Sequence, residues 1–93
     1  QGYAGAQSNL GAMYYNGRGV DVNYKKAFEW YEKGAKQGHA EAQFNLGGMY
    51  YNGHGVDVNH MKTVEWYKKA AEQGHRRAQI VLRTIQQTDV GVA

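Results

Sequence analysis

The stretch YYNGRGVDVN at residues 14–23 returns almost unchanged as YYNGHGVDVN at residues 50–59. The period is 36 residues, and aligning 1–36 with 37–72 without a gap gives 24 identical positions. A third copy begins at Gln73 and loses the pattern after Leu82. Since a fixed period of this length is typical of repeat architectures, the chain is predicted to hold about two and a half structural repeats.

Each unit contains two segments in which apolar residues follow a helical period. Ala6, Leu10 and Tyr14 define one face of a first helix over residues 4–15, and Ala27, Trp30 and Tyr31 begin the face of a second. The predicted helices cover residues 4–15, 24–37, 40–51 and 60–73, followed by a capping helix within 73–88 and a tail at 89–93. The same spacing places the aromatic residues Tyr14, Trp30, Tyr31, Tyr50, Trp66 and Tyr67 in the core. No strand is needed, so the predicted fold is all-α, an α-solenoid of antiparallel helix-turn-helix repeats.

Turn residues agree with these boundaries. Asn23 and Asn59 stand where a helix N-cap belongs, and Gly38 and Gly74 stand where a helix ends in a positive-φ residue. The repeated stretch itself is therefore interpreted as the turn between the two helices of a repeat. A phosphate-binding loop would need a preceding strand and a Gly-Lys-Ser/Thr sequence, which is missing.

Gly11 and Gly47 lie in the middle of predicted helices, where glycine costs about 1 kcal/mol relative to alanine. We expect them to let the partner helix of the repeat approach closely. On this interpretation alanine at Gly47 is tolerated, whereas leucine separates the two helices.

These residues form the pattern A-x-x-x-L-G-x-M-Y-x-x-G-x-G-V followed by K-A-x-x-W-Y-x-K-x-A-x-Q-G. The pattern resembles the Sel1-like repeat, a relative of the tetratricopeptide repeat, and it recurs in register over residues 1 to about 82. The resemblance implies a scaffold that binds other proteins, without a cofactor, and a bacterial parent protein that is periplasmic or secreted. Some cysteine-rich relatives are associated with hydrolase or penicillin-binding activity. This chain has no cysteine, so we do not expect it to share that activity.

Composition limits the other classes of function. The chain has 93 residues and a formal net charge of +3. Its basic residues are spread at helical spacing without a Lys/Arg-rich block, which argues against nucleic-acid binding. No apolar run approaches the roughly 20 residues of a membrane helix.

An enzyme needs a group of reactive side chains, and the sequence offers none. Ser8 is the single serine, with no neighbouring histidine to act as its base. His54, His60 and Asp57 could bind a metal, but three candidate ligands on one loop are a weak signal. We therefore predict neither catalytic residues nor a metal or cofactor.

The predicted function is recognition of a peptide or helix of a partner protein on the concave face formed by the first helices of the repeats. Register with the tetratricopeptide groove implies these contact residues: Ser8, Ala12, Tyr15, Asn16, Glu41, Phe44, Gly48, Tyr51, Asn52, Arg77 and Ile80. Tyr15, Phe44 and Tyr51 would be the aromatic anchors. For Phe44 and Ile80 an alternative stays open, since both could pack between repeats instead.

Two further hypotheses concern assembly. The opening Gln1-Gly2 matches Gln37-Gly38, so the sequence is expected to be a fragment of a longer repeat protein. An array this short is expected to form a homodimer through the exposed edge of its first helix. The alternative to protein binding is a structural spacer within a larger protein.

Overall fold

The computed structural model describes the backbone of residues 2–92 and the side chains of residues 3–87. It contains the helices α1 (Gly2–Asn16), α2 (Tyr24–Lys36), α3 (Ala40–Asn52), α4 (His60–Glu72) and α5 (Arg76–Val92). Within residues 2–92 there is no strand. The four predicted repeat helices agree with the observed bounds to within two residues, and α5 continues beyond residue 88, where the capping helix was expected to end.

The turn after α1 has the same geometry as the turn after α3. Gly17 and Gly53 end these helices in the left-handed conformation, with φ of 72° and 73°. Each donates its backbone N–H 2.8 Å to the carbonyl of the methionine four residues earlier. The oxygen Oδ1 of Asn23 then accepts a hydrogen bond from the N–H of Lys26 at 3.0 Å, as Asn59 does in the second repeat. Both predicted N-caps are therefore confirmed.

Neighbouring helices pack in chain order, α1 on α2, α2 on α3, α3 on α4 and α4 on α5. One buried cluster joins α2 to α3 through Ala27, Tyr31, Ala35, Ala42, Leu46 and Met49. A second joins α3, α4 and α5 through Phe44, Tyr67, Ala70 and Ala78. Tyr31 and Tyr67 are buried, whereas the other four aromatic residues that were expected in the core are half-buried.

The predicted packing face of α1 is only partly correct. Ala6 is exposed and Leu10 is half-buried, although their second-repeat equivalents Ala42 and Leu46 are completely buried. The reason is that α2 covers this edge of α3, while among the described residues no helix covers the same edge of α1. Within the described residues, α3 therefore packs against both α2 and α4, whereas α1 packs mainly against α2.

Glutamine side chains connect successive repeats, and two of them, Gln7 and Gln43, are buried; the sequence analysis missed this feature. Gln43 is 5% exposed. Its Nε2 donates to the carbonyl of Ala35 at 3.2 Å, and its Oε1 accepts from Nε2 of Gln73 at 2.9 Å. Gln7 accepts in the same way from Gln37, and Gln79 donates to the carbonyl of Ala71 at 3.0 Å. Because buried amides without partners are costly, these hydrogen bonds favour one register between neighbouring repeats.

Candidate functional site

The first helices of the repeats lie side by side and enclose an open cavity of about 440 Å³. It is bounded by α1, by α3 and by the first turn of α5. The lining residues are Ala12, Tyr15, Asn16, Tyr31, Glu41, Phe44, Asn45, Gly48, Met49, Asn52 and Arg77. Eight of the eleven residues expected in the groove are among them. We call this the α1–α3–α5 cavity.

Phe44 is part of the core rather than a surface anchor. Its side chain is 9% exposed and belongs to the second buried cluster. The ring stacks on Tyr67, with centroids 5.1 Å apart, and on His75 at 4.7 Å. Of the two alternatives for this residue, packing between repeats is correct, and only part of the ring reaches the cavity wall.

Three other expected residues lie outside this cavity. Ser8 is 5% exposed and packs where α1 meets α2, which leaves its side chain almost no surface to offer a partner. Tyr51 and Ile80 are each 51% exposed and line a separate cavity of about 310 Å³ between α3, α4 and α5. Ile80 is thus not part of the buried core between repeats, and the expected single groove is divided into two surfaces.

Charged groups stand at the α5 end of the α1–α3–α5 cavity. The Nδ1 of His75 accepts the backbone N–H of Ala78 at 3.1 Å, so the proton of the neutral imidazole is on Nε2. Nε2 donates to Oε1 of Glu41 at 2.7 Å. The guanidinium of Arg77 lies 4.8 Å above the ring of Phe44. The lining of the cavity therefore includes both a carboxylate that is held by a hydrogen bond and a guanidinium.

Tyr15 is held at the opposite end by residues of both repeats. Its hydroxyl is 2.9 Å from Nδ1 of His54, and its ring lies 5.0 Å from that of Tyr24. His54 in turn stacks on Tyr24, with centroids 4.3 Å apart. Burial, and then the nearby Tyr24, raise the pKa of the Tyr15 hydroxyl. This side chain is neutral and preorganised, which lowers the entropy lost on binding.

Tyr31 reaches the cavity from α2 through the gap at Gly11. Burial, followed by the neighbouring Tyr15 and Glu41, raises the pKa of Tyr31 to about 12. Sequence spacing could not identify it as a lining residue, because it belongs to the second helix of the repeat. Asn45 was also missed, although Glu41, Asn45, Gly48 and Asn52 follow a single helical stripe that could have revealed it.

The two histidines that were considered as metal ligands, His54 and His60, each pack against a different set of aromatic rings. The ring of His54 is held by Tyr15 and Tyr24, whereas the ring of His60 stacks on Tyr51 at 4.9 Å. Across the part of the chain that the structure describes, no three His, Asp or Glu side chains come together as a metal site. In the same part, none of the helices has the length and apolar character of a membrane span.

Comparison with known proteins identifies the family. The model of the Sel1 repeat matches residues 4–39 and 40–75. The chain belongs to the Sel1 repeat family. Sel1 repeat proteins are commonly scaffolds for protein interactions and are generally non-catalytic. No curated protein matches the chain.

Solved structures of Sel1 repeat proteins share the fold over 85% of this chain. A Sel1 repeat protein from Oxalobacter formigenes is 46% identical, with a TM-score of 0.84. A protective antigen of uropathogenic Escherichia coli strains is 47% identical (TM-score 0.82), and cysteine-rich protein B of Helicobacter pylori is 29% identical (TM-score 0.80). The chain spans 32%, 17% and 59% of these three structures. Their sources suggest a bacterial origin.

Proposed function

We propose that this Sel1 repeat chain binds a peptide or a helix of a partner protein in the α1–α3–α5 cavity. The observation that supports the proposal most directly is the convergence of α1, α3 and α5 on one open cavity of about 440 Å³. Concave surfaces of stacked helical repeats are where such proteins bind their partners.

The lining provides the mixture of groups that peptide recognition needs. Tyr15 supplies a rigid aromatic surface, and Asn16, Asn45 and Asn52 supply amides that can pair with a peptide backbone. Nδ2 of Asn52 donates to the carbonyl of Gly48 at 3.0 Å, which leaves Oδ1 as an acceptor for a partner's N–H. Arg77 would pair with an acidic group of the bound segment.

The choice of variants depends on which lining residues are exposed and which are buried. Phe44→Ala would open a hole in the core and would reduce binding by unfolding, so it cannot test the cavity. The informative variant is Asn45→Ala/Arg77→Ala, in which both side chains line the cavity. Its matched control is Asn9→Ala/Arg76→Ala, since Asn9 and Arg76 are exposed and do not line it.

The experiment pans a displayed random-peptide library against the chain and measures the affinity of the selected peptides by fluorescence anisotropy. We expect micromolar or weaker dissociation constants, with at least a tenfold loss in Asn45→Ala/Arg77→Ala and no loss in the control. Equal binding by the two variants would place the peptides elsewhere. If no peptide were selected by a chain with unchanged helicity, the spacer function would be favoured.

A further inference from the structure

The two repeats are joined by a contact between the turn of the second and two aromatic rings of the first. His54, at the tip of that turn, stacks on Tyr24 and is hydrogen-bonded to Tyr15. The turn approaches so closely that a Cβ on Gly55 would overlap the backbone carbonyl of Tyr24. A planar side chain between two glycines is thus the group that this pair of rings accepts.

The second repeat carries an equivalent pair of rings without such a cover. Tyr51 and His60 stand 36 residues after Tyr15 and Tyr24, and they stack at 4.9 Å. Tyr51 is 51% exposed, and neither ring makes a hydrogen bond within the described residues. We call this pair the Tyr51–His60 platform.

The surroundings of the platform favour an apolar stem that ends in a cation. An open cavity of about 350 Å³ lies against it, between the start of α4 and Ile85. Met61, which is 77% exposed, and Val64 form its apolar wall, and Glu65 adds a carboxylate. Arginine has this combination of an apolar stem and a planar charged group, and it stacks on aromatic rings.

The first repeat displays an arginine in the required setting. Arg18 is the repeat equivalent of His54 and lies between Gly17 and Gly19. Its side chain is exposed, and a Cβ on Gly19 would meet no atom within 4 Å, in contrast to Gly55. Within the described residues, this turn therefore has no covering partner.

We propose that a second copy of this chain docks head to tail, with Arg18 of one copy on the Tyr51–His60 platform of the next. The guanidinium stacks on the rings and pairs with the carboxylate of Glu65. The contact is heterologous, so a docked chain still offers one free turn and one free platform.

Two variants that each remove one side of the contact provide the test. Arg18→Ala removes the donor and keeps the platform, whereas Tyr51→Ala/His60→Ala removes the platform and keeps the donor. Both changed regions are exposed, and circular dichroism verifies that each variant is folded. Arg76→Ala, which replaces an exposed arginine outside the contact, is the control.

Sedimentation velocity over a concentration series measures the association. We expect the unmodified chain and Arg76→Ala to associate as concentration rises, and each of the two interface variants to associate at least tenfold more weakly. An equimolar mixture of the two interface variants should form pairs, because each supplies the side that the other lacks. A chain that stays monomeric throughout, association unaffected by Arg18→Ala, or a mixture that fails to pair would each overturn the proposal.

Discussion

Tyr31 of α2 lies directly against Gly11 of α1: a Cβ on Gly11 would be 2.7 Å from Cδ1 of Tyr31. Tyr67 stands in the same relation to Gly47. In both repeats the missing side chain of one helix makes room for the ring of the other. This contact determines how closely the two helices approach, and in the first repeat it also brings Tyr31 to the α1–α3–α5 cavity.

Gly47→Ala should destabilise the fold, contrary to the tolerance expected from sequence. The new methyl group would meet the Tyr67 ring at 2.7 Å and the carbonyl of Thr63 at 3.3 Å. Overpacking of this kind costs about 1–3 kcal/mol, which exceeds the gain of about 1 kcal/mol from replacing a helical glycine. Urea unfolding followed by circular dichroism measures the difference.

Gly48→Ala is the matched control, one position along the same helix. A Cβ there meets only the hydroxyl of Tyr67 at 3.6 Å, an ordinary contact, and the first repeat has alanine at this position. We expect stabilisation of up to about 1 kcal/mol. Equal effects of the two substitutions would contradict the close approach at Gly47.

Stability should fall at alkaline pH because of the buried tyrosines. Tyr31 has a folded pKa of about 12 against an ordinary value of 10.0, and burial raises the pKa of Tyr67 in the same direction. The unfolded chain therefore releases the proton first. The stabilisation is complete below pH 10 and is lost as pH rises through about 12.

For Tyr31 the expected loss is about 2–3 kcal/mol, since each pH unit between the two pKa values corresponds to about 1.4 kcal/mol. Urea unfolding at a series of pH values, with tyrosinate absorbance recorded in parallel, measures it. Tyr31→Phe should have a shallower decline above pH 10. A decline as steep as that of the unmodified chain would assign the alkaline loss to other groups.

His75→Ala should lower stability by about 1–2 kcal/mol, because the imidazole caps α5 and contacts Glu41. His39→Ala is the repeat-equivalent control, since the side chain of His39 makes no capping hydrogen bond to α3. His75→Asn can still cap the helix and should recover part of the loss. Thermal unfolding compares the three variants. Similar melting temperatures for His75→Ala and His39→Ala would show that the cap is unimportant.

His54→Ala should weaken the junction between the repeats by about 1–2 kcal/mol, because it removes one hydrogen bond and one ring stack. Its repeat counterpart Arg18→Ala replaces an exposed side chain and should change stability by less than about 0.5 kcal/mol. Denaturant unfolding at low protein concentration separates this effect from self-association. A large loss in Arg18→Ala would mean that its turn is already covered within the chain.

The helices could be predicted because their signals are local. Asn23 and Asn59 mark helix starts, Gly38 and Gly74 mark helix ends, and the 36-residue period supports each assignment twice. The capping asparagines act on a backbone N–H only three residues away, so neighbouring sequence is sufficient to identify them.

The lining of the cavity was harder to predict because it depends on contacts between distant residues. Phe44 fits an exposed helical stripe, yet it is covered by Tyr67 and His75 from two other helices. The turn residue His54 reaches Tyr15 across 39 positions. A helical wheel gives the direction of a side chain, but it does not give the distance to the next helix.

The hydrogen bonds of Gln43 have a consequence for lengthening the array. The Nε2 and Oε1 atoms of its side-chain amide pair with residues at fixed offsets. Ala35 lies eight positions before Gln43, and Gln73 lies thirty positions after it. Residues 40–75 carry their own equivalent of Ala35, since the carbonyl of Ala71 already accepts from Gln79 at 3.0 Å, and they also contain Gln43 and Gln73. Inserting a further copy of 40–75 after His75 would therefore reproduce the junction without redesign, which makes this segment a natural module for building longer binding surfaces.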